Sequence, residues 1–251
     1  MANVRSTSVA GAANRPVVPG WRPSLFTLGP PHPDPTFATL VRHDLAEQAW
    51  VDHARAWVDG SAELFERLVD RLAWSSRTVT MYGRQVDEPR LTAAWPGPGV
   101  DPVAGPAVEE VRRLLSHRYG VALRSTWANL YRDGRDSVAW HGDRVLRQRE
   151  VALVAIVSLG EPRPFRLRPV GGGDSVGFDL GLGDLLVMGG SCQRTWQHGV
   201  PKVRRAGPRL SLSFRAERPG RDGRGEPLDE PRQSALISPI GQDTPVPPSP
   251  Q

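Results

Sequence analysis

His141, Gly142 and Asp143 set an imidazole and a carboxylate two residues apart, and a second imidazole, His198, follows 57 positions after His141. On extended backbone, residues i and i+2 project to one side. His141 and Asp143 can therefore grip one divalent ion from a single strand end, with His198 arriving from another strand. Two imidazoles and one carboxylate on one face leave the opposite coordination positions open, the facial arrangement associated with non-haem Fe(II). H-x-D alone is a weak signal, because His32-Pro33-Asp34 matches it too. That copy lies in Gly29 to Pro35 (GPPHPDP), a Pro-rich connector expected to carry no element of its own and so no rigid ligand. His43-Asp44 lacks the spacing.

Eleven residues after His198 begins Arg209-Leu-Ser-Leu-Ser-Phe-Arg215. Leu210, Leu212 and Phe214 make one face of a strand; Arg209, Ser211, Ser213 and Arg215 make the other. Arg209 and Arg215 are about 20 Å apart at roughly 3.3 Å per residue, and long side chains can lean together over that span. A small dicarboxylic acid suits the space between them, since Arg clamps a carboxylate through two parallel hydrogen bonds. Ser211 can add a hydrogen bond. Asn129 and Tyr131 share parity on a strand leading toward His141, so their amide and hydroxyl can reach the same ligand.

The elements that must position these groups follow from periodicity. Leu64, Phe65, Leu68 and Leu72 recur at helical spacing within Ser61 to Leu72, and Val108, Val111, Leu114 and Leu115 do the same before a stop at Gly120. Beyond Val121 the helical period vanishes. Leu123 to Tyr131, Val151 to Leu159, Phe165 to Arg168, Val176 to Leu180, Leu185 to Met188 and Arg209 to Arg215 read as strands. Gly171 to Gly173 and Gly181 to Asp184 are turn-like joints. Helices followed by at least six short strands predict an α+β fold with an antiparallel sandwich or barrel.

Composition bounds the rest. Of 251 residues 39% are hydrophobic, enough for one core-forming domain with a polar remainder. No run of about 18 apolar residues exists, so a membrane-spanning helix is not expected. Met1 to Pro16 has no apolar centre and does not read as a secretory signal. A single cysteine, Cys192, excludes an internal disulfide and a cysteine-rich zinc cluster, and it reads as a small buried thiol. A monomer in a reducing cytoplasm is the expectation. Pro106 to Arg215 holds 18 basic and 10 acidic residues, a local surplus of +8 against +5 for the whole chain. Such a surface suits a polyanion such as nucleic acid.

Several stretches together resemble the AlkB family of Fe(II)/2-oxoglutarate dioxygenases. They are Asn129-Leu-Tyr131, Asp136-Ser-Val-Ala-Trp-His141-Gly-Asp143, Val157-Ser-Leu-Gly160 and Arg163-Pro-Phe165, then Gly183-Asp-Leu-Leu-Val-Met188, Trp196-Gln-His198-Gly-Val-Pro-Lys202 and Pro208-Arg209 through Phe214-Arg215. Glu88-Pro-Arg-Leu-Thr-Ala93 is similar to the family's nucleotide-recognition lid. The resemblance runs from about Trp74 to Arg218. It implies a double-stranded β-helix (jelly-roll) core with N-terminal helices and a lid. It implies Fe(II) on His141, Asp143 and His198, and 2-oxoglutarate on Asn129, Tyr131, Arg209 and Arg215 with Ser211 nearby. It further implies oxidative demethylation of N-alkylated nucleobases in DNA or RNA, with O2 consumed and succinate, CO2 and formaldehyde released. The base must be flipped out or already single-stranded. Trp74, Tyr82, Arg90 and Trp95 are the expected substrate contacts.

Two departures bear on the substrate. Arg144 and Val145 follow Asp143 where repair-type members usually carry an acidic residue, and the lid reads Ala94-Trp95-Pro96-Gly97. The same oxygenase chemistry on a protein or small molecule is the alternative. The expected organisation is an arm and connector over 1–35, helices and lid over 36–120, the jelly-roll core over 121–218, and a Pro-rich tail over 219–251.

Overall fold

The computed structural model describes residue 16 and residues 29–76, 78–81, 84–142 and 152–216. In chain order its elements are β1 (His32–Pro33), β2 (Leu40–Asp44), β3 (Ala49–Ala54), β4 (Val58–Asp59), α1 (Ser61–Arg71), β5 (Thr78–Met81), β6 (Arg84–Asp87), β7 (Leu91–Ala94), α2 (Ala104–Tyr119) and β8 (Leu123–Tyr131). There follow β9 (Val138–His141), β10 (Val154–Gly160), β11 (Arg163–Pro169), β12 (Val176–Leu180), β13 (Leu185–Gly190), α3 (Cys192–Thr195), β14 (Trp196–Val200) and β15 (Arg209–Ala216).

The described strands form two large antiparallel sheets, one in the order β2-β3-β13-β10-β15-β8-β7 and one in the order β12-β11-β14-β9, with β1-β4 and β5-β6 as separate two-stranded pairs. Alternation along each strand divides the core. Leu210, Leu212 and Phe214 of β15 join Ala128 and Leu130 of β8, Leu64, Phe65 and Leu68 of α1, and Val108, Val111 and Leu115 of α2 on the helix side of the larger sheet. Val154, Ile156, Phe165, Leu167, Leu180 and Met188 fill the space between the sheets. This is the expected α+β jelly roll, with α1 and α2 on one side of the larger sheet. Burying an aliphatic or aromatic side chain contributes about 1.5–3 kcal/mol, so the two layers carry most of the drive to fold.

Both expected helices are present. The α2 N-terminus is closed by Asp101 Oδ1, which accepts from the amides of Val103 and Ala104 at 2.9 and 2.8 Å. Its end comes at Gly120, whose φ of 63° is the left-handed turn a glycine adopts without strain.

The N-terminal plan needs correction. The connector does hold an element, since His32–Pro33 pairs with Val58–Asp59. Residues 36–120 are not only helices and lid, because β2, β3 and β7 lie in the larger sheet. Strand β3 hid from periodicity because both of its faces are covered. Asp52 is buried there and held by Arg42 Nε at 2.7 Å and Tyr119 Oη at 2.9 Å, while Val51 faces the space between the sheets. Residues 1–28 of the expected arm and connector, apart from residue 16, and the expected tail over 219–251 lie outside the described residues. No described helix is long and apolar enough to cross a membrane.

Candidate active site

Between the sheets lies a cavity lined by polar groups from β8, β9, β14 and β15. Its histidines come from adjacent strands, for β9 and β14 pair with His141 directly opposite His198. Their ring centroids are 4.3 Å apart. His141 is exposed, and its Nδ1 lies 2.9 Å from the Ala139 carbonyl oxygen. Donation through Nδ1–H to that carbonyl leaves Nε2 as the ligating nitrogen. His198 is buried and stacked on Phe165 at 5.5 Å. Burial, reinforced by His141 and Arg215, holds its pKa well below the ordinary value, so it stays neutral, the form that coordinates a metal.

The opposite wall is β15. Arg209, Ser211, Ser213 and Arg215 all line the cavity, as their shared parity requires. Register pairs Arg209 with Tyr131 and Ser211 with Asn129 on β8, which brings the two expected groups of the cosubstrate site together. The Arg209 side chain is wholly enclosed. Its Nε donates to Ser158 Oγ at 2.8 Å, and its ring neighbour is Tyr131 at 5.2 Å. Burial lowers its pKa, and Tyr131 offsets part of that. Its Nη1 and Nη2 find no acceptor among the described residues.

A buried cation with two unused donors is costly. A carboxylate satisfies both at once, in the parallel geometry that guanidinium groups favour. The residues therefore fit a small organic acid at the enclosed end and a divalent metal at the histidine end.

Of the expected substrate contacts, Arg90 lines the cavity and its Nε donates to Asn129 Oδ1 at 3.2 Å. Trp74 and Trp95 do not. They pack on the helix side of the larger sheet, with their indole nitrogens donating to Val69 O and Glu109 Oε1. Their large apolar rings gain more from that core than from an open cleft. Asp143, Tyr82, Arg144 and Val145 lie outside the described residues.

Three residues within the family-like stretches contribute to the site without having been assigned a role from the sequence. Phe165 and Val138 shape the histidine end. Arg163, almost fully buried, donates to the carbonyl oxygens of Asp133, Asp136 and Pro201 at 2.8–2.9 Å and joins the loops after β8 and β14. Its signal was the Arg163-Pro-Phe165 stretch, in which Arg163 shares the buried face of β11 with Phe165 and Leu167 while Arg166 and Arg168 take the other. Cys192 is buried as expected, and burial pushes its thiol up to about 12.

A family model described as the 2OG-Fe(II) oxygenase superfamily matches residues 51–218. The chain belongs to that superfamily. Membership implies Fe(II) as the metal and 2-oxoglutarate as the cosubstrate, and hence dioxygenase chemistry. The chain is 32% identical over 184 residues to the human alpha-ketoglutarate-dependent dioxygenase alkB homolog 3, covering 65% of this chain and 63% of that protein. It thus spans less than two thirds of that relative's length. It is 27% identical over 189 residues to the DNA oxidative demethylase ALKBH2 of Arabidopsis thaliana, covering 60% of each chain. The solved structure of OsALKBH1 aligns with a TM-score of 0.48 at 16% identity, covering 66% of this chain and 97% of that one.

Proposed function

We propose that this chain oxidatively demethylates N-alkylated nucleobases in DNA or RNA, with Fe(II) held by His141, His198 and Asp143. The observation that carries the reading is the pairing of two facing imidazoles with a buried guanidinium whose terminal nitrogens lack acceptors, all on one cavity. When bound together, Fe(II) and 2-oxoglutarate supply the oxidation of an N-alkyl carbon by O2, with loss of CO2 and formation of succinate.

The chain's own residues bind, aim and exclude. Arg209 takes the far carboxylate of 2-oxoglutarate through Nη1 and Nη2, while Ser158 fixes its Nε. Ser211, Asn129, Tyr131 and Arg215 line the rest of that subsite. Phe165, Val154 and Ile156 give the cavity apolar lining that limits water. At the other end His141 is exposed, so an alkyl group carried on a larger molecule can approach there.

Three features favour nucleic acid as that larger molecule. The relatives' names include a DNA oxidative demethylase. The local charge surplus is positive. Trp127, 44% exposed, shares strand parity with Asn129 and Tyr131 and offers an aromatic plane for an extruded base. The test is formaldehyde release from oligonucleotides carrying N1-methyladenine or N3-methylcytosine, with Fe(II) and 2-oxoglutarate. Release is expected from at least one DNA or RNA substrate. Succinate formation with no release from any of them would overturn the substrate and leave the chemistry.

A further inference from the structure

We propose that Arg168 is a positioning residue for His141, acting from the reverse side of the smaller sheet through Trp140. The inference rests on the reading of His141 as a metal ligand.

Among the described residues strand β9 is the edge of its sheet, with β14 its one neighbour there. The pairing is irregular: His198 faces His141 and Val200 faces Val138, so three steps of β9 match two of β14. Bulges of this kind re-aim side chains. This one turns both Val138 and His141 into the cavity. A bulged edge strand has little to hold it unless other contacts do.

Two such contacts are present. At Gly199 a Cβ would lie 2.9 Å from the Val138 carbonyl oxygen, so the β14 backbone presses closely against the bulge. On the outer face, Arg168 of β11 sits opposite Gln197 of β14. Its Nε and Nη2 donate to Gln197 Oε1 at 3.3 Å, and its guanidinium carbon lies 4.4 Å over the Trp140 ring. Gln197 immediately precedes His198, and Trp140 immediately precedes His141. One planar side chain thus spans three strands and ties together the residues before both histidines. Trp140 is 37% exposed, so the stack sits at the surface, outside the packed core.

The test is titration of the whole chain with Co(II), followed by visible absorption, alongside the melting temperature of the metal-free protein. R168A should raise the Co(II) Kd about tenfold, the low end of what is lost when groups orienting a metal-bound histidine are removed. R168K keeps the charge but not the flat fork, and should recover only part of the affinity. W140A should match R168A, and the double variant should be no weaker than either single one. The melting temperature should stay near that of the unsubstituted chain. R168A binding Co(II) normally while H141A does not would overturn the positioning role and spare the ligand reading. So would a fall in melting temperature with no change in Kd, or strictly additive losses in the double variant. Normal Co(II) binding by H141A would overturn the ligand reading and this proposal with it.

Discussion

Arg209 Nε donates to Ser158 Oγ at 2.8 Å across the β10–β15 pair, and neither side chain reaches solvent. The bond fixes one edge of the guanidinium and presents the other to the cavity. R209M should therefore raise the KM for 2-oxoglutarate by about 10- to 150-fold, since charge-assisted hydrogen bonds contribute about 1.5–3 kcal/mol. The same change removes a buried, half-satisfied cation, so the ligand-free protein should melt no lower than before, and higher if the methionine packs well. Succinate formation against cosubstrate concentration, with calorimetry, measures both.

H141A and H198A should each abolish stoichiometric Fe(II) or Co(II) binding in equilibrium dialysis. The stability costs should differ. His198 is buried against Phe165, so H198A also loses packing, whereas exposed His141 should be replaced at little cost.

Acid should act on Asp184. Burial works to raise its pKa, but it is outweighed by nearby His53 and by the amides of Ala56 and Gly181, and the net shift is downward. A depressed carboxylate gives its full stabilisation above the unfolded pKa of about 3.9, and loses it as pH falls through the lower folded value. D184N should thus be less stable than the unsubstituted chain at pH 7, and the gap should close below about pH 4. Urea unfolding across that range checks it.

Trp127 carries the substrate prediction. Stacking of a base contributes about 1–3 kcal/mol, so W127A should weaken single-stranded oligonucleotide binding by roughly 5- to 150-fold. The slope of log affinity against log salt should not move, because the ring neutralises no phosphate. Fluorescence anisotropy at several salt concentrations separates the two effects. A changed slope with unchanged affinity would assign Trp127 no stacking role.

Much of this was legible in the sequence where one face of an element differs from the other. Strands β8 and β12 have the bounds that alternation predicts, and β15 declared both its apolar and its polar face. Strand β3 did not, because Asp52 is buried by partners on other elements, Arg42 of β2 and Tyr119 of α2. The β9 bulge left no trace either. A period of two sets Val138 and His141 on opposite faces, and a mismatch in pairing sets them on one. Trp74 and Trp95 misled because an aromatic ring reads the same in a cleft and in a core until its neighbours are known.

The two ends of the cavity rest on strands of unequal security. Arg209 rides on β15, flanked by β10 and β8 within the larger sheet, whereas His141 rides on an outermost strand among the described residues. Warming should loosen the histidine rim well before the guanidinium floor, so a mildly heated sample would keep its grip on the organic acid after its hold on the metal had slackened.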